Sequence, residues 1–328
     1  MRFYLQKIGF YVVAIWAAIT INFVIPRLMP GNPVDVIISK MGAAGQTVTP
    51  QTRHAIEVAL GGGGGTWWQQ YGDYIVNLLH GDLGTSLVDY PEKVSTVIGQ
   101  ALPWTIALVG LATVISFIIG VGLGMFAGWR RGSWLDNLIP VTTMFQAVPY
   151  FWLALILVLL LSRVVQWFPY AGGYDVATTA PGFSLQFIGS AVHYGFLPAL
   201  TIVLSSIGGW MLGMRNMMVA TLSEDYIVTA EAKGLRPSRV RMTYAARNAV
   251  LPSLSGFAIS LGFVVAGSIV TEQVFSYPGV GQLLFAAVSN NDYALMQGVF
   301  LVISLSVLAA NLVVDVLYGL IDPRTRAR

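Results

Sequence analysis

The sequence predicts an all-α polytopic membrane protein with six transmembrane helices and both termini in the cytoplasm. Of its 328 residues, 55% are hydrophobic and only 10% are charged, so the bilayer is the expected solvent. Six segments are long and apolar enough to cross the hydrocarbon core, which takes about 20 residues of helix. They lie at Ile8 to Leu28, Trp104 to Trp129, Leu138 to Leu161, Phe196 to Met214, Leu254 to Thr271 and Ala294 to Leu320.

The start of the chain has a second interpretation as a secretory signal peptide, since Arg2 and Lys7 precede the first apolar run. That run continues to Leu28 without a small-residue cleavage site, which favours a membrane span. The sequence contains no cysteine, so it can form neither a disulfide framework nor a Cys-based metal site.

The distribution of basic residues predicts the orientation, because Lys and Arg collect on the cytoplasmic side. With a cytoplasmic N-terminus, most of the 18 Lys and Arg residues fall inside. Those inside are Arg2, Lys7, Arg130, Arg131, Arg215, Lys233, Arg236, Arg239, Arg241, Arg247, Arg324, Arg326 and Arg328, and those outside are Arg27, Lys40, Arg53, Lys93 and Arg163. An odd number of spans would not readily give this asymmetry.

These spans divide the chain into a first transmembrane helix (1–28), an extracytoplasmic segment (29–101) and a five-helix core (102–328) with a cytoplasmic loop (215–253). The extracytoplasmic segment opens with the turn-rich Pro30-Gly31-Asn32-Pro33 and contains a five-glycine spacer, Gly61 to Gly65, to which we assign no function. A second outer loop is expected at 162–195.

Part of the extracytoplasmic segment is expected to be helical. Its apolar residues recur at helical spacing and are Trp67, Trp68, Tyr71, Tyr74, Ile75, Leu78 and Leu79. Such a face needs a partner surface. Two partners stay open, the membrane or body of this chain, and an external protein that docks on it.

Several kinds of chemistry are missing from the sequence. It has no Gly-x-x-x-x-Gly-Lys-Ser/Thr loop, so any ATP energy must come from a partner. The three histidines, His54, His80 and His193, are scattered over loop positions, and no metal site is expected. Glu272 and Asp315 fall near opposite membrane faces, so neither is placed as a midplane ion relay.

The cytoplasmic loop carries the most informative stretch, from Ser223 to Pro252. Its pattern predicts a short helix that ends at Gly234 and a second short helix that begins at Pro237 and Ser238. Small residues there permit close approach by a partner. From the residues alone, an ordinary basic loop that follows the positive-inside bias is an equally open interpretation.

This stretch resembles the cytoplasmic signature of binding-protein-dependent ABC importer permeases, in the form typical of the dipeptide and oligopeptide permease family. The matching residues are Asp225, Tyr226, Thr229, Ala230, Ala232, Lys233, Gly234, Leu235, Arg247, Asn248, Ala249, Leu251 and Pro252. Glu231 and Tyr244 depart from the pattern, where the family often has Arg and His.

The resemblance extends along nearly the whole chain through four further motifs in the family's order. They are Pro30-Gly31-Asn32-Pro33, Gly81-Asp82-Leu83-Gly84-Thr85-Ser86, the run from Glu272 to Gly281, and the run from Asn311 to Arg324. The sequence is therefore identified as a member of this family, and the type I fold of ABC importer permeases is implied.

The resemblance implies one half of a translocation pathway in the cytoplasmic (inner) membrane of a prokaryote. The implied partners are a related second permease chain, two ABC ATPase subunits, an extracytoplasmic substrate-binding protein and the lipid bilayer, with no nucleic acid. ATP and Mg would bind to the ATPase subunits, so this chain would be no enzyme and would hold no cofactor. Di- and oligopeptides are the expected substrates, while glutathione, nickel chelates and oligosaccharides stay open.

A coupling loop that docks on the ATPase is implied at Ala230, Glu231, Ala232, Lys233, Gly234, Arg236 and Arg239. The small residues Ala230, Ala232 and Gly234 would allow close packing, and the basic residues would provide polar docking. The alternative for the basic residues is a simple topology signal.

Two further sites follow from turn and helix-breaking residues. A possible outer gate comprises Glu272, Phe275, Tyr277, Pro278, Gly279 and Gly281, with an interfacial anchor as the alternative. A possible cavity wall comprises Gln146 and Pro149, because Pro140 and Pro149 are expected to bend the third span, with a merely structural kink as the alternative. Gly120, Gly124 and Gly128 share one face of the second span and favour close helix packing over a pore.

Two other function classes remain open. A secondary carrier or channel would work without an ATPase, and its transport would persist in ATP-free proteoliposomes under an ion gradient. A non-transporting scaffold would show no solute flux under any energisation.

Overall fold

The computed structural model describes residues 2–28, 33–43, 49–59, 66–265 and 269–321, and these residues form helices joined by turns. We label the helices α1 to α15. They are α1 (Arg2–Leu28), α2 (Pro33–Ala43), α3 (Pro50–Ala59), α4 (Trp67–Leu79), α5 (Val94–Trp129), α6 (Ile139–Ala147), α7 (Tyr150–Leu157), α8 (Leu185–Leu222), α9 (Asp225–Ala232), α10 (Pro237–Arg239), α11 (Arg247–Ala249), α12 (Leu251–Gly262), α13 (Ile269–Val274), α14 (Val280–Ser289) and α15 (Tyr293–Ile321). A π-helical turn, Val158–Val164, extends α7, and another, Val240–Ala246, joins α10 to α11.

Some sequence predictions fall outside the described residues. These are the turn residues Pro30, Gly31 and Asn32, the spacer Gly61 to Gly65, and the last part of the C-terminal motif from Asp322 to Arg324.

The structure confirms the helical class and part of the predicted set of spans. Among the described residues, helices at Val94–Trp129, Leu185–Leu222 and Tyr293–Leu312 are long and apolar enough to cross a membrane, and a bent pair, Asp136–Ala147 with Tyr150–Val164, adds a fourth candidate. The remaining predicted spans coincide with shorter apolar helices, Gly9–Ile25 and Leu251–Gly262. Six spans and the orientation of the termini stay predictions.

Helix α8 is longer than the predicted fourth span at both ends. It begins at Leu185, where the Ser184 hydroxyl accepts a hydrogen bond from the Phe187 N–H at 3.1 Å and so caps the helix. The predicted outer loop therefore ends eleven residues early, at Ser184, and residues 215–222 of the predicted cytoplasmic loop are helical. Gly189, His193 and Gly195 lower the hydropathy of the first turns, which is why hydropathy does not predict the helix there.

The predicted third span is broken into α6 and α7, which meet at an angle of 100°. Pro149 causes the break, because it has no N–H to donate and pushes the preceding Val148 into an extended conformation with ψ 128°. Pro140 does not bend the chain, contrary to the prediction. It lies in the first turn of α6, where a helix has no hydrogen bond to lose.

The chain forms two compact units, the first made of Met1–Pro103 with Gly279–Leu308 and the second of Trp104–Pro278 with Ala309–Arg328. The first unit has a core in which the start of α5 packs against α14 and the start of α15. Its fully buried residues include Val94, Val280, Leu295, Met296 and Val299.

A buried carboxylate connects this core to the Gly81–Ser86 motif. Asp292, which is fully buried, accepts hydrogen bonds at Oδ2 from the Ser86 hydroxyl at 2.8 Å and from the N–H groups of Leu87 and Val88. Its Oδ1 accepts the Leu295 N–H at 3.0 Å and so caps the first turn of α15. The Asp292 side chain thus binds the Gly81–Ser86 motif and caps the N-terminus of α15.

The predicted helix in the extracytoplasmic segment is confirmed as α4, and its apolar residues divide into two sets. Tyr71 and Tyr74 pack on Phe23 of α1 with ring centroids 5.1 and 5.6 Å apart, and the Tyr71 hydroxyl hydrogen-bonds Thr20. Trp68 is 83% exposed. One part of the face therefore packs on the chain itself, and another part faces away from it.

The second unit is organised around α8, which α5 approaches closely along three glycines. A Cβ added at Gly120 would lie 2.6 Å from the Trp210 Cβ, and one at Gly128 would lie 2.6 Å from the Met218 Cβ. At Gly124 the added atom would overlap the Met211 carbonyl oxygen. This confirms that the glycine repeat serves helix packing.

We expect Gly124→Ala to reduce stability, because the new methyl group would overlap the α8 backbone. Gly122→Ala is the matched control, since nothing lies within 4 Å of a Cβ there and alanine favours the helix by up to about 1 kcal/mol. Thermal unfolding of the two purified variants should show a loss of about 1 kcal/mol or more only for Gly124→Ala. Equal unfolding midpoints would contradict the packing.

We expect Asp292→Asn to lower the unfolding temperature by about 4 °C or more, because it weakens four hydrogen bonds to a buried charged acceptor. Asp89→Asn removes an exposed carboxylate in the same segment and should leave the midpoint unchanged. If both variants melt like the unmodified protein, the buried carboxylate does not stabilise this unit.

Candidate functional site

The predicted coupling loop packs on a buried hydrophobic cluster in the second unit. Ile227 and Ala230 of α9 are buried in one cluster with Met214 and Met218 of α8 and with residues of the π-helical turn after α10. Ala230 is only 3% exposed. It was predicted to approach a partner, but its small side chain instead allows α9 to pack on its own chain.

The end of α9 has the geometry that the sequence predicts. Gly234 adopts φ +72°, its N–H bonds to the Glu231 carbonyl at 2.8 Å, and the Leu235 N–H bonds to the Ala230 carbonyl at 3.4 Å. This pair of hydrogen bonds is a Schellman motif, which favours glycine at the left-handed position. Leu235 packs against the same buried hydrophobic cluster as α9. The helix cap therefore turns the chain back towards this cluster.

The outer face of this loop is exposed. Glu231, Ala232, Lys233, Gly234, Arg236 and Arg239 are all exposed. Val228 is also 58% exposed, and sequence analysis missed it. An apolar side chain presented between charged residues on a short helix suits docking into a partner groove.

The two halves of the cytoplasmic motif meet in space. Asn248 donates from Nδ2 to the Tyr226 hydroxyl and to the Tyr244 carbonyl, both at 3.0 Å. The amide therefore joins α9 to the helix that leads back towards α12. This contact explains why the Asp225-Tyr226 and Arg247-Asn248 parts occur together in one motif.

The basic residues of the loop form no ion pair with another described residue. Within the described ranges, ion pairs join Arg53 to Asp35 and Arg215 to Asp136, and none involves Lys233, Arg236 or Arg239. Three exposed positive charges of this kind suit an acidic partner surface.

The predicted outer gate contains side chains that are packed inside the second unit. Phe275 and Tyr277 are 1% and 4% exposed and share a cluster with Leu108, Ala154 and Leu197. Burial, with a smaller contribution from Glu272, raises the pKa of Tyr277 to about 12, so its phenol stays neutral at physiological pH.

The turn is held by contacts with the preceding outer loop. The Gly172 N–H bonds to the Phe275 carbonyl at 2.9 Å, and a Cβ at Gly173 would lie 2.7 Å from the Pro278 ring. Trp104 lies edge-on to Tyr277 with centroids 5.7 Å apart. Ser276 has φ +44°, which turns the chain between Phe275 and Tyr277.

The remaining gate residues are divided between the two units. Glu272 is fully buried in the second unit and accepts a hydrogen bond from the Thr105 hydroxyl at 2.9 Å. Gly279 precedes the first residue of α14 in the first unit, and Gly281 lies in the first turn of that helix. The gate role itself stays a prediction.

A cavity of about 470 Å³ lies in the second unit. It is lined by Val109, Thr113, Tyr150, Ile202, Ser206, Trp210, Ser260, Phe263, Ile269 and Val270. The lining has no charged residue, and its polar groups are hydroxyls and one indole. Trp210 is held in place by Phe117, which lies edge-on at 5.2 Å.

The predicted cavity wall is near this space but is not part of its lining. Pro149 precedes the lining residue Tyr150, and its bend sets the direction in which α7 begins. Gln146 lies over Gly209, where a Cβ would be 3.3 Å from Gln146 Nε2. Gly209 lines a second cavity of about 390 Å³. Hydroxyl residues spaced along different helices gave no sequence signal for the larger cavity.

Comparison with known proteins agrees with the family resemblance. Residues 120–327 match the family model for the binding-protein-dependent transport system inner membrane component. The di/tripeptide transport system permease protein DppB of Pseudomonas aeruginosa is 34% identical, with 99% of both chains covered.

Two further relatives show the same relationship over nearly the whole length. The dipeptide transport system permease protein DppB of Escherichia coli is 31% identical over 99% of each chain. The oligopeptide transport system permease protein AppB of Bacillus subtilis is 31% identical over 95% of each chain. The chain therefore belongs to the family of inner-membrane components of binding-protein-dependent transport systems.

Proposed function

We propose that this chain is a permease subunit of an ATP-driven importer that moves peptides delivered by an extracytoplasmic binding protein. Its family membership supports the transport class, and the names of its full-length relatives support peptides as the substrates. The single structural observation that carries the proposal is the exposed face formed by α9 and the residues up to Arg239. This face lies over a buried hydrophobic cluster and carries three basic residues that form no ion pair in the described part of the chain.

The complex that this function needs has four kinds of component. A related second permease would complete the pathway, two ABC ATPase subunits would bind ATP and Mg, and a binding protein would deliver the substrate. This chain would cross the inner membrane six times with both termini in the cytoplasm. A cytoplasmic position of α9 is supported by the exposed basic residues that follow it, Lys233, Arg236 and Arg239.

The buried hydrophobic cluster under α9 would transmit movements of an ATPase to the membrane-spanning helices. A partner that moves α9 would act on Met214 and Met218 through the buried cluster that these two residues share with Ile227 and Ala230. Packed side chains transmit such a displacement with little loss, since protein interiors have low compressibility. The displaced helix α8 also lines the larger cavity through Ile202, Ser206 and Trp210.

The larger cavity is the proposed substrate-facing wall of this half of the pathway. Its lining offers hydroxyls that can replace the water around a peptide group and apolar surface for neutral side chains. A charged lining residue would hold a zwitterionic peptide by one end and slow its release. The neutral lining is thus suited to passage and leaves selection to the binding protein.

The turn around Tyr277 is the proposed outer gate. Its packing on Trp104 and Gly173 identifies the contacts that would have to rearrange for it to open. Movement of Tyr277 would expose an aromatic surface that is now buried.

We expect Ala232→Trp to uncouple ATP hydrolysis from transport, because Ala232 lies on the exposed face and a large ring there would hold the ATPase away. Gly234→Trp should act similarly but also strains a residue at φ +72°. The measurement is peptide uptake per ATP hydrolysed in proteoliposomes that contain the full complex and binding protein. Asn137→Trp provides the control, since Asn137 is exposed between α5 and α6 and lies outside the stretch from Ser223 to Pro252.

The unmodified complex sets the reference for that experiment. Its uptake should require ATP and the binding protein, whereas uptake under an ion gradient without ATP would establish a secondary carrier instead. Normal coupling in Ala232→Trp would contradict docking at this face.

We expect Thr113→Trp to slow peptide transport, because the indole would occupy the larger cavity. Leu111→Trp is the matched control, since Leu111 is on the same helix, is 63% exposed and does not line the cavity. Both variants should assemble and hydrolyse ATP. Equal uptake by the two variants would show that substrate does not pass this surface.

A further inference from the structure

The guanidinium of Arg241 lies against two aromatic rings at the end of α5. Its central carbon is 5.1 Å from the centroid of Phe126 and 5.9 Å from that of Trp129. Both distances are within the range of cation–π attraction. Trp129 is the last residue of an apolar helix that is long enough to span a membrane, so this contact lies where a bilayer would change from acyl chains to headgroups.

Arg241 is only partly satisfied by the protein. Its Nε is buried and has no hydrogen-bond partner among the described residues. A buried donor without an acceptor costs about 1–3 kcal/mol. An anion beside the guanidinium would not accept from this N–H, but it would stabilise the positive charge that the whole planar group shares.

The surrounding charges are positive. Arg130 and Arg131 follow Trp129 directly and are exposed. The nearby carboxylate, Asp136, is bound by Arg215 at 3.0 Å. Within the described part of the chain, neither Arg241 nor the two arginines after Trp129 form a close ion pair. Arg131 donates a hydrogen bond to the Val219 carbonyl at 3.4 Å, and the pKa of Asp136 is lowered by Arg215 and, to a smaller extent, by Arg131.

The same surface is also apolar. Phe126 is 43% exposed and Met242, next to Arg241, is 50% exposed. A soluble acidic protein would neutralise the arginines but would not suit the side of a membrane-spanning helix. A ligand that has both acyl chains and a negatively charged headgroup matches both features at once.

We infer that Arg241, Phe126 and Trp129, with Arg130 and Arg131, form a binding site for an anionic phospholipid. The lipid phosphate lies against the exposed edge of Arg241, and an acyl chain covers Phe126. The site is distinct from the α9 face that docks the ATPase. The lipid adds to the contact that Arg241 already makes with the two rings at the end of α5.

Native mass spectrometry tests this inference on the full-length chain purified with its partner subunits. The complex is incubated with phosphatidylglycerol or phosphatidylcholine of the same chain length, and bound lipids are counted. The unmodified complex should retain phosphatidylglycerol preferentially. Arg241→Gln should bind it about fivefold more weakly, in line with the contribution of one basic residue at a membrane surface.

Arg53→Gln is the charge-matched control, because it removes one positive charge from an exposed residue that pairs with Asp35. It should bind lipid like the unmodified complex. Phe126→Ala keeps every charge and should still reduce retention of phosphatidylglycerol, which provides a second test if Arg241→Gln does not assemble. The comparison of the two lipids on the unmodified complex needs no variant.

Three results would overturn the inference. One is equal retention of the two lipids by the unmodified complex. Another is displacement of phosphatidylglycerol by glycerol 3-phosphate at equal concentration, which would indicate a site for soluble phosphate. The third is loss of the ATPase subunits from Arg241→Gln with lipid retention unchanged, which would make Arg241 a protein contact. The readout is bound lipid, so none of these results bears on peptide transport.

Discussion

The close approach of α5 to α8 determines where the candidate sites of the second unit lie. It is possible only because Gly120, Gly124 and Gly128 present no side chain to α8. Glycine costs about 1 kcal/mol relative to alanine in a helix interior, and the dispersion attraction between the two closely packed helices offsets that cost. With α5 in this position, one face of α8 is fixed and its other faces are free to hold α6, α9 and the cavity.

Helix α8 uses its faces differently along its length. Near its middle, Gly208 allows the α6 backbone at Thr142 to approach, where a Cβ would lie 2.5 Å from the Thr142 carbonyl oxygen. Towards its end, Met214 and Met218 provide a pliable buried surface for α9. The cavity and the buried cluster under α9 therefore both lie along α8, and this makes a mechanical connection between them physically reasonable.

The sequence predicts features that depend on neighbouring residues better than contacts between residues that are far apart along the chain. The end of α9 at Gly234 and the break at Pro149 are local, and backbone chemistry alone predicts them. The role of Ala230 is not local. Its small side chain signals a close approach, but the sequence does not say whether the approaching surface is a partner or α8. The cavity lining was missed for the same reason, since residues such as Thr113 and Ser260 come together only in three dimensions.

The basic residues show why a single sequence signal can have several physical outcomes. The positive-inside bias treats Arg215, Arg241 and Arg236 alike. In the structure, Arg215 is paired with Asp136, Arg241 lies over two aromatic rings, and Arg236 is exposed beside α9. The first stabilises the chain itself, the second suits a membrane surface, and the third suits a protein partner. The same residue type can thus orient the chain in the membrane or suit a lipid or a protein partner. Only the neighbours of each arginine show which of these roles it suits.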